Sequence, residues 1–303
     1  KFAALAVDPQ IKMIEIKLSQ GAKPGHGGVL PAAKVSEEIA LTRGVPMGVD
    51  CVSPPGHSAF STPVELLQFV ARLRELAGGK PVGFKLAIGH PWEWFGIAKA
   101  MQETGIMPDY IVVDGAEGGT GAAPVEFMDH VGVPMNEALM LVHNTLVGLN
   151  IRQHIHIGAA GEITRAFDIA RTIALGADWR NAGRAFMFSL GCIQALSCHT
   201  DKCPTGIATQ DRARSSNLDP TQKTARVFNY LRKTMRALGE LLSAAGLSPT
   251  DRLRPEHSLR RVSPTQIRSL GSLYRFLEPG ELLDGHAFAW IMLLVGMAEK
   301  FLL

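Results

Sequence analysis

The sequence predicts an α/β fold of repeated strand–helix units, followed by a helical C-terminal extension. Three observations carry this. Short apolar runs alternate with stretches of helical periodicity. Most of those runs end in a glycine-rich turn. The chain of 303 residues is also rich in glycine (31) and apolar residues (46%) but low in charge (19%), which suits a sheet covered by helices.

The apolar, β-branched run 13–19 opens the series and meets the turn Gln20–Gly25. Residues 49–53 read as a second short strand, ending at Ser53-Pro54-Pro55-Gly56. Thr62-Pro63-Val64-Glu65 is a capping box with proline at the first helical position, and Val64, Leu67, Val70 and Ala71 share one helical face. Strand 81–88 precedes helix 92–104. Strand 110–113 feeds the run Asp114–Gly121 and a helix from Met135 to Leu149. Strand 154–159 leads to helix 164–175, and strand 177–182 ends at Gly183-Arg184. That makes about six βα units, where a closed barrel needs eight, so two strands are expected before Lys1. Periodicity alone leaves an open, doubly wound sheet as the alternative.

After Gln210 no further strand is expected. Asp219-Pro220-Thr221-Gln222 caps a helix to about Ala245, and Ser263-Pro264-Thr265-Gln266 reads as the cap of another. The division is thus 1–210 for the βα portion and 211–303 for the extension. The apolar run Ala287–Ala298 is shorter than the ~20 residues a bilayer span needs, so it reads as a docking helix.

A net charge of +3 without a basic, aromatic-interleaved stripe argues against nucleic acid. Four cysteines in a chain this long are not a disulfide scaffold. Three of them, Cys192, Cys198 and Cys203, follow the pattern C-x5-C-x4-C and precede Pro204. Thiolates so closely spaced suit an iron–sulfur cluster, three of them a [3Fe–4S] cluster, in a reducing, cytoplasmic setting. Cys51, inside a predicted strand, reads as a small apolar residue. Gly158–Gly161 and Gly183-Arg184 end consecutive strands, where barrel enzymes bind phosphate on backbone amides. The glycines of 114–121, Gly118 and Gly119 among them, suggest a backbone passing close to a flat ligand. Lys17, Gln20 and Lys23 fall at or beyond a strand end. Lys85 lies inside an apolar strand, where a charge needs a partner, either a cofactor or a buried acid such as Glu. His57, His90, His143 and His199 are scattered and read as structural.

Taken together, residues 20–28 (QGAKPGHGG), 53–57 (SPPGH), 114–124 (DGAEGGTGAAP) and 191–210 (GCIQALSCHTDKCPTGIATQ) resemble the FMN-binding synthase domain of glutamate synthase, in its shorter bacterial form. The resemblance spans roughly residues 1–285 and favours a (β/α)8 barrel, lacking its first strands in this chain. It implies FMN and a [3Fe–4S] cluster, and a hydride passed from reduced FMN to 2-iminoglutarate, formed from 2-oxoglutarate and ammonia. Cluster ligands would be Cys192, Cys198 and Cys203; flavin contacts Gln20, Lys85, Gly118, Gly119, Gly161, Gly183 and Arg184; catalytic residues Lys23, Arg43 and Lys85, with Lys23 and Arg43 on the keto acid. It also implies an electron donor, such as ferredoxin or an NADPH-oxidising subunit. The chain contains no glutaminase domain, so ammonia would come from solution or a separate glutaminase. An upstream membrane anchor stays open. Val29 stands where full-length relatives carry a keto-acid-binding glutamine, which keeps a different small amino or keto acid as an alternative. A non-catalytic electron-transfer subunit is a third reading. The tail after Gly285 departs from the family pattern.

Overall fold

A computed structural model describes residues 2–119, 121, 123–248 and 250–284. The expected apolar tail helix lies outside the described residues. Helix α1 (Phe2–Ala6) precedes strand β1 (Ile14–Lys17). β2 (Val29–Leu30), α2 (Glu37–Arg43) and β3 (Cys51–Val52) come next, and β2 and β3 pair antiparallel with each other. Then α3 (Pro63–Leu76), β4 (Val82–Leu86), α4 (Pro91–Thr104), β5 (Tyr110–Asp114), α5 (Met135–Gly148), β6 (His156–Ala160), α6 (Ala166–Ala174), β7 (Trp179–Asn181) and α7 (Gly183–Leu190) alternate.

The parallel sheet runs β1-β4-β5-β6-β7. Its order follows the chain without reversal. Right-handed crossovers therefore place the helices on one face, as in a barrel wall, and not on both faces as in a doubly wound sheet. Among the described residues the sheet has five strands and does not close. The expected strand at 49–53 is the one that differs: it forms the two-residue ladder with Val29–Leu30 beyond the end of β1. Its β-propensity is satisfied by a local antiparallel partner, and α3 alone serves as the crossover from there to β4.

Strand alternation sorts the side chains. Phe84, Leu86, Ile111, Val113 and Ile157 join Leu67, Trp94, Leu139 and Leu146 in the main core, each worth about 1.5–3 kcal/mol on full burial. On the other face Tyr110, Val112 and Ala160 pack with Trp179. The Tyr110 and Trp179 rings meet edge to face at 5.5 Å. At the sheet's N-terminal end two acids lock the register. Asp109 accepts from the Val82 amide (2.7 Å) and Arg74, and Asp178 accepts from the Ile157 amide (2.7 Å) and Arg152.

The helix starts follow their caps. Thr62 and Glu65 complete the capping box of α3, and Asp219 caps α9 (Pro220–Ala244), which follows the short α8 (Arg212–Ser215). α9 lies on α6 through Leu238, Leu242, Ala166, Ala170 and Ala174. The extension is not purely helical. Residues 263–266 close a hairpin between β8 (Leu259–Ser263) and β9 (Gln266–Ser269). Ser269 then caps α10 (Leu270–Leu273). Proline suits both a helix start and a turn because both want its fixed φ, so that signal is degenerate. No helix among the described residues is long and apolar enough to cross a membrane.

Two substitutions test this packing by denaturant midpoint. A Cβ at Gly158 would lie 2.6 Å from the Trp179 ring, so Gly158→Ala is expected to cost about 1–3 kcal/mol. Gly239, inside α9 with open space around it, is the contrast: Gly239→Ala is expected to stabilise by about 0.5–1 kcal/mol.

Candidate active site

Parallel register aligns a row of residues at the C-terminal strand ends. Lys17 pairs with Lys85, Lys85 with Val112, Asp114 with Ala160, and Ala160 with Asn181. Asp114, two residues beyond Val112, shares the face of Lys85, and its carboxylate lies 2.9 Å from the Lys85 ammonium. The acid expected beside Lys85 is thus Asp114 and not a glutamate. It is 3% exposed, so each charge offsets the other's desolvation.

A cavity of about 300 Å³ opens above this pair. Gln20, Lys85, Gly118, Gly119, Gly161, Gly183 and Arg184, the full predicted flavin set, all line it. A Cβ on Gly118 would lie 2.2 Å from Asp114 Oδ1, and one on Gly119 (φ 72°) 2.0 Å from Gln20 Nε2. The backbone can approach this closely only without side chains. Helix α7 starts at the cavity. Its N-cap, Ala182, supplies no side-chain cap and its first turn holds no acid, so its leading amides suit an anion. Arg184 is braced by Glu162 Oε1 (3.0 Å) and the Glu117 carbonyl (2.5 Å). Burial pushes the Glu117 carboxyl up, while its oxygens accept from the Met135 amide at 3.0 and 3.2 Å.

An adjoining cavity of about 310 Å³ shares Gly119, Gly183 and Arg184 and is lined by Cys192, Cys198 and Cys203. The structure thus brings the three predicted sulfurs to one space. Burial, then Cys203 and Cys192, push the Cys198 thiol up. Burial also acts to raise the Cys203 thiol, but the Thr205 hydroxyl and the amides of Ala208, Thr205 and Ile207 outweigh it and hold the thiol at about 7. Lys34 donates to the Cys198 carbonyl (2.6 Å) and the Ala208 carbonyl (2.9 Å), stapling both arms of the loop. Gln194, Leu196 and Asp201 adopt positive φ within it. Among the described residues no group of three His, Cys, Asp or Glu is arranged to hold a single metal ion.

A third cavity, about 280 Å³, contains Lys17, Lys23, His26 and Ser53 and shares Gln20 with the first. Lys17 donates to Gln20 Oε1 at 2.7 Å, and Gln20 Nε2 donates to the Gly119 carbonyl at 3.3 Å. Burial, then Lys85 and Lys23, push the Lys17 ammonium below its ordinary pKa. Arg43 departs from expectation: it closes α2, is exposed and lines none of these three cavities. Val29, about half exposed in β2, also lines none. The sequence reading missed Asn181, Glu117 and Lys34. Two had a signal: Asn181, a polar residue at a strand end beside a glycine turn, and Glu117, inside the glycine-rich run 114–121; Lys34 had none.

Glu117 gives a pH-dependent test. Its folded-state pKa is raised, so the native state binds more protons than the unfolded one above about pH 4.5. Stability should therefore fall as pH rises from there through the raised value, then level off. Glu117→Gln retains an oxygen for the Met135 amide and should flatten that decline in thermal melts across pH 4–8. An unchanged slope would count against burial as its cause.

A model described as the conserved region in glutamate synthase matches residues 7–248. The glutamate synthase large subunit-like protein YerD of Bacillus subtilis is 42% identical over 264 residues, covering 87% of this chain and 50% of that protein. Archaeal glutamate synthase (NADPH) of Methanocaldococcus jannaschii is 41% identical over 242 residues, 80% of this chain and 47% of that protein. Ferredoxin-dependent glutamate synthase of Cyanidium caldarium is 36% identical over 240 residues, 78% of this chain and 15% of that protein. The chain spans about half the length of the first two. Among solved structures, a flavocytochrome b2 mutant with benzoylformate superposes with a TM-score of 0.47 at 11% identity, over 94% of this chain and 55% of that one.

Proposed function

The chain belongs to the glutamate synthase family, and from that premise we propose that it is the synthase portion of an FMN- and iron–sulfur-dependent oxidoreductase. Its reaction would join 2-oxoglutarate and ammonia and reduce the resulting 2-iminoglutarate to L-glutamate. When bound, FMN would supply the hydride, and a [3Fe–4S] cluster would relay to it the electrons that an external donor provides. The observation that carries this reading is the shared wall: the cavity lined by the seven flavin-type residues and the cavity lined by the three cysteines have Gly119, Gly183 and Arg184 in common.

The leading amides of α7 and Arg184 would hold a phosphate. Lys85, 2.9 Å from the Asp114 carboxylate, would stabilise negative charge on a reduced ring. Cys192, Cys198 and Cys203 would hold the cluster. Their cavity is large enough for a multi-atom group, and Gly121 leaves room beside the Cys198 sulfur, where a Cβ would sit 2.9 Å away. Lys23 would meet a substrate carboxylate. The exposed position of Arg43 supports its expected part less. By analogy with the relatives, electrons would come from an NADPH-oxidising subunit or ferredoxin, and ammonia from solution or a separate glutaminase, in the cytoplasm. A second reading, the same cofactors with a different small amino or keto acid, is motivated by Val29 standing where full-length relatives carry a glutamine, although Val29 lines none of the three cavities.

The reading predicts a yellow-brown protein containing FMN and a cluster with a low-temperature EPR signal. Supplied with reductant, 2-oxoglutarate and ammonia, it should form glutamate; turnover of another 2-oxo acid alone would favour the second reading. Arg184→Ala should weaken FMN binding about tenfold or more. Cys198→Ser should abolish the EPR signal and spare the flavin. A protein that retains neither group after reconstitution would sink the proposal.

A further inference from the structure

Lys34 ends the short helical turn 32–34 between β2 and α2. Asp50 fixes that turn by accepting from the Ala32 amide (2.6 Å), and Val35, the next residue, is buried. From this firm base the half-buried ammonium crosses to the cysteine loop and donates to the Cys198 and Ala208 carbonyls at 2.6 and 2.9 Å. Two carbonyls need only two N–H donors, and a neutral amide has them. A partly buried ammonium is the costlier choice unless negative charge lies nearby. Among the described residues no carboxylate lies within ion-pair distance of Lys34. Asp201, the single acid of residues 191–210, is occupied by the Gln210 amide (2.8 Å) and the Thr209 hydroxyl (3.0 Å). The loop that Lys34 grips does carry Cys192, Cys198 and Cys203 around one cavity, and a ligating cysteine is a thiolate.

We propose that Lys34 is a positioning residue whose fixed positive charge raises the reduction potential of the iron–sulfur cluster. This rests on the cluster reading above and deepens it. Each electron that arrives from the external donor adds one unit of negative charge at the sulfurs until it leaves for the flavin. A cation tied to the backbone of one ligand stabilises that more negative form over the oxidised one. Net charge and outer contacts of this kind set the potentials of such centres. The third donor of the ammonium, unused by the two carbonyls, leaves the charge free to act on the sulfur side.

The test is an EPR-monitored redox titration of full-length protein carrying both cofactors. Lys34→Met should make the cluster about tenfold harder to reduce, a fall of about 59 mV for one electron. Lys34→Gln keeps N–H donors without the charge and should fall equally. Lys34→Arg should stay within about twofold of wild type. If Lys34→Gln matches wild type while Lys34→Met falls, hydrogen bonding and not charge is at work, and the proposal is wrong. It is equally wrong if all three variants titrate like wild type. Flavin absorbance reports that each variant is folded. Should Lys34→Met and Lys34→Gln keep FMN but lose the cluster while Lys34→Arg keeps it, the charge is required and the proposal stands; loss in Lys34→Arg as well would make Lys34 a staple of fixed shape and overturn it. Wild-type protein that holds FMN and no cluster would instead bring down the cluster reading itself.

Discussion

An ammonium and a carboxylate 2.9 Å apart, on neighbouring strands and largely withdrawn from water, constrain everything around them. Neither Lys85 nor Asp114 could be buried alone without a penalty of several kcal/mol. The pair requires β4 and β5 to be adjacent, parallel and in one register. It also limits what can lie above it, since Gly118 passes so near Asp114 Oδ1 that no side chain fits there. From this pair the network extends sideways. Lys17 sits beside Lys85 in the row and reaches Gln20, which in turn reaches the Gly119 carbonyl.

The two ends of the sheet divide the work. At the N-terminal end Asp109 and Asp178 each join a strand amide to an arginine, fixing register where no ligand is expected. At the C-terminal end the chain adopts conformations that cost energy, with positive φ at Gln194, Leu196 and Asp201 in the cysteine loop. Lys34, from a distant segment, clamps the loop that holds those conformations. The arrangement follows the general rule that parallel α/β sheets carry function at the carboxyl ends of their strands.

The three cavities form a series. The cysteine cavity shares three residues with the central one, and the central one shares Gln20 with the basic one. For the redox reading this order matters: electrons would enter on the cysteine side, and the acid would be held on the lysine side, with the flavin between. Short shared walls would keep donor and acceptor close, and Arg184, braced by Glu162 and Glu117, stands in the wall between the cysteine cavity and the central one.

Local signals in the sequence were sufficient for much of this. The capping box at Thr62, the apolar runs of β4 to β7 and the cysteine spacing are written in neighbouring residues, and each was legible because neighbours alone determine it. Residues 49–53 do hold a strand, but its partner is Val29–Leu30 and not the main sheet, and the Ser-Pro pair of 263–266 admits both a helix cap and a turn; only a distant or facing partner decides either case. That Lys85 pairs with Asp114, that Lys17 and not Arg43 stands with Lys23, and that Lys34 grips the cysteine loop were decided by tertiary structure alone. Those contacts join segments separated by up to 174 residues, and pairing across such distances depends on strand register and burial, which no local pattern encodes.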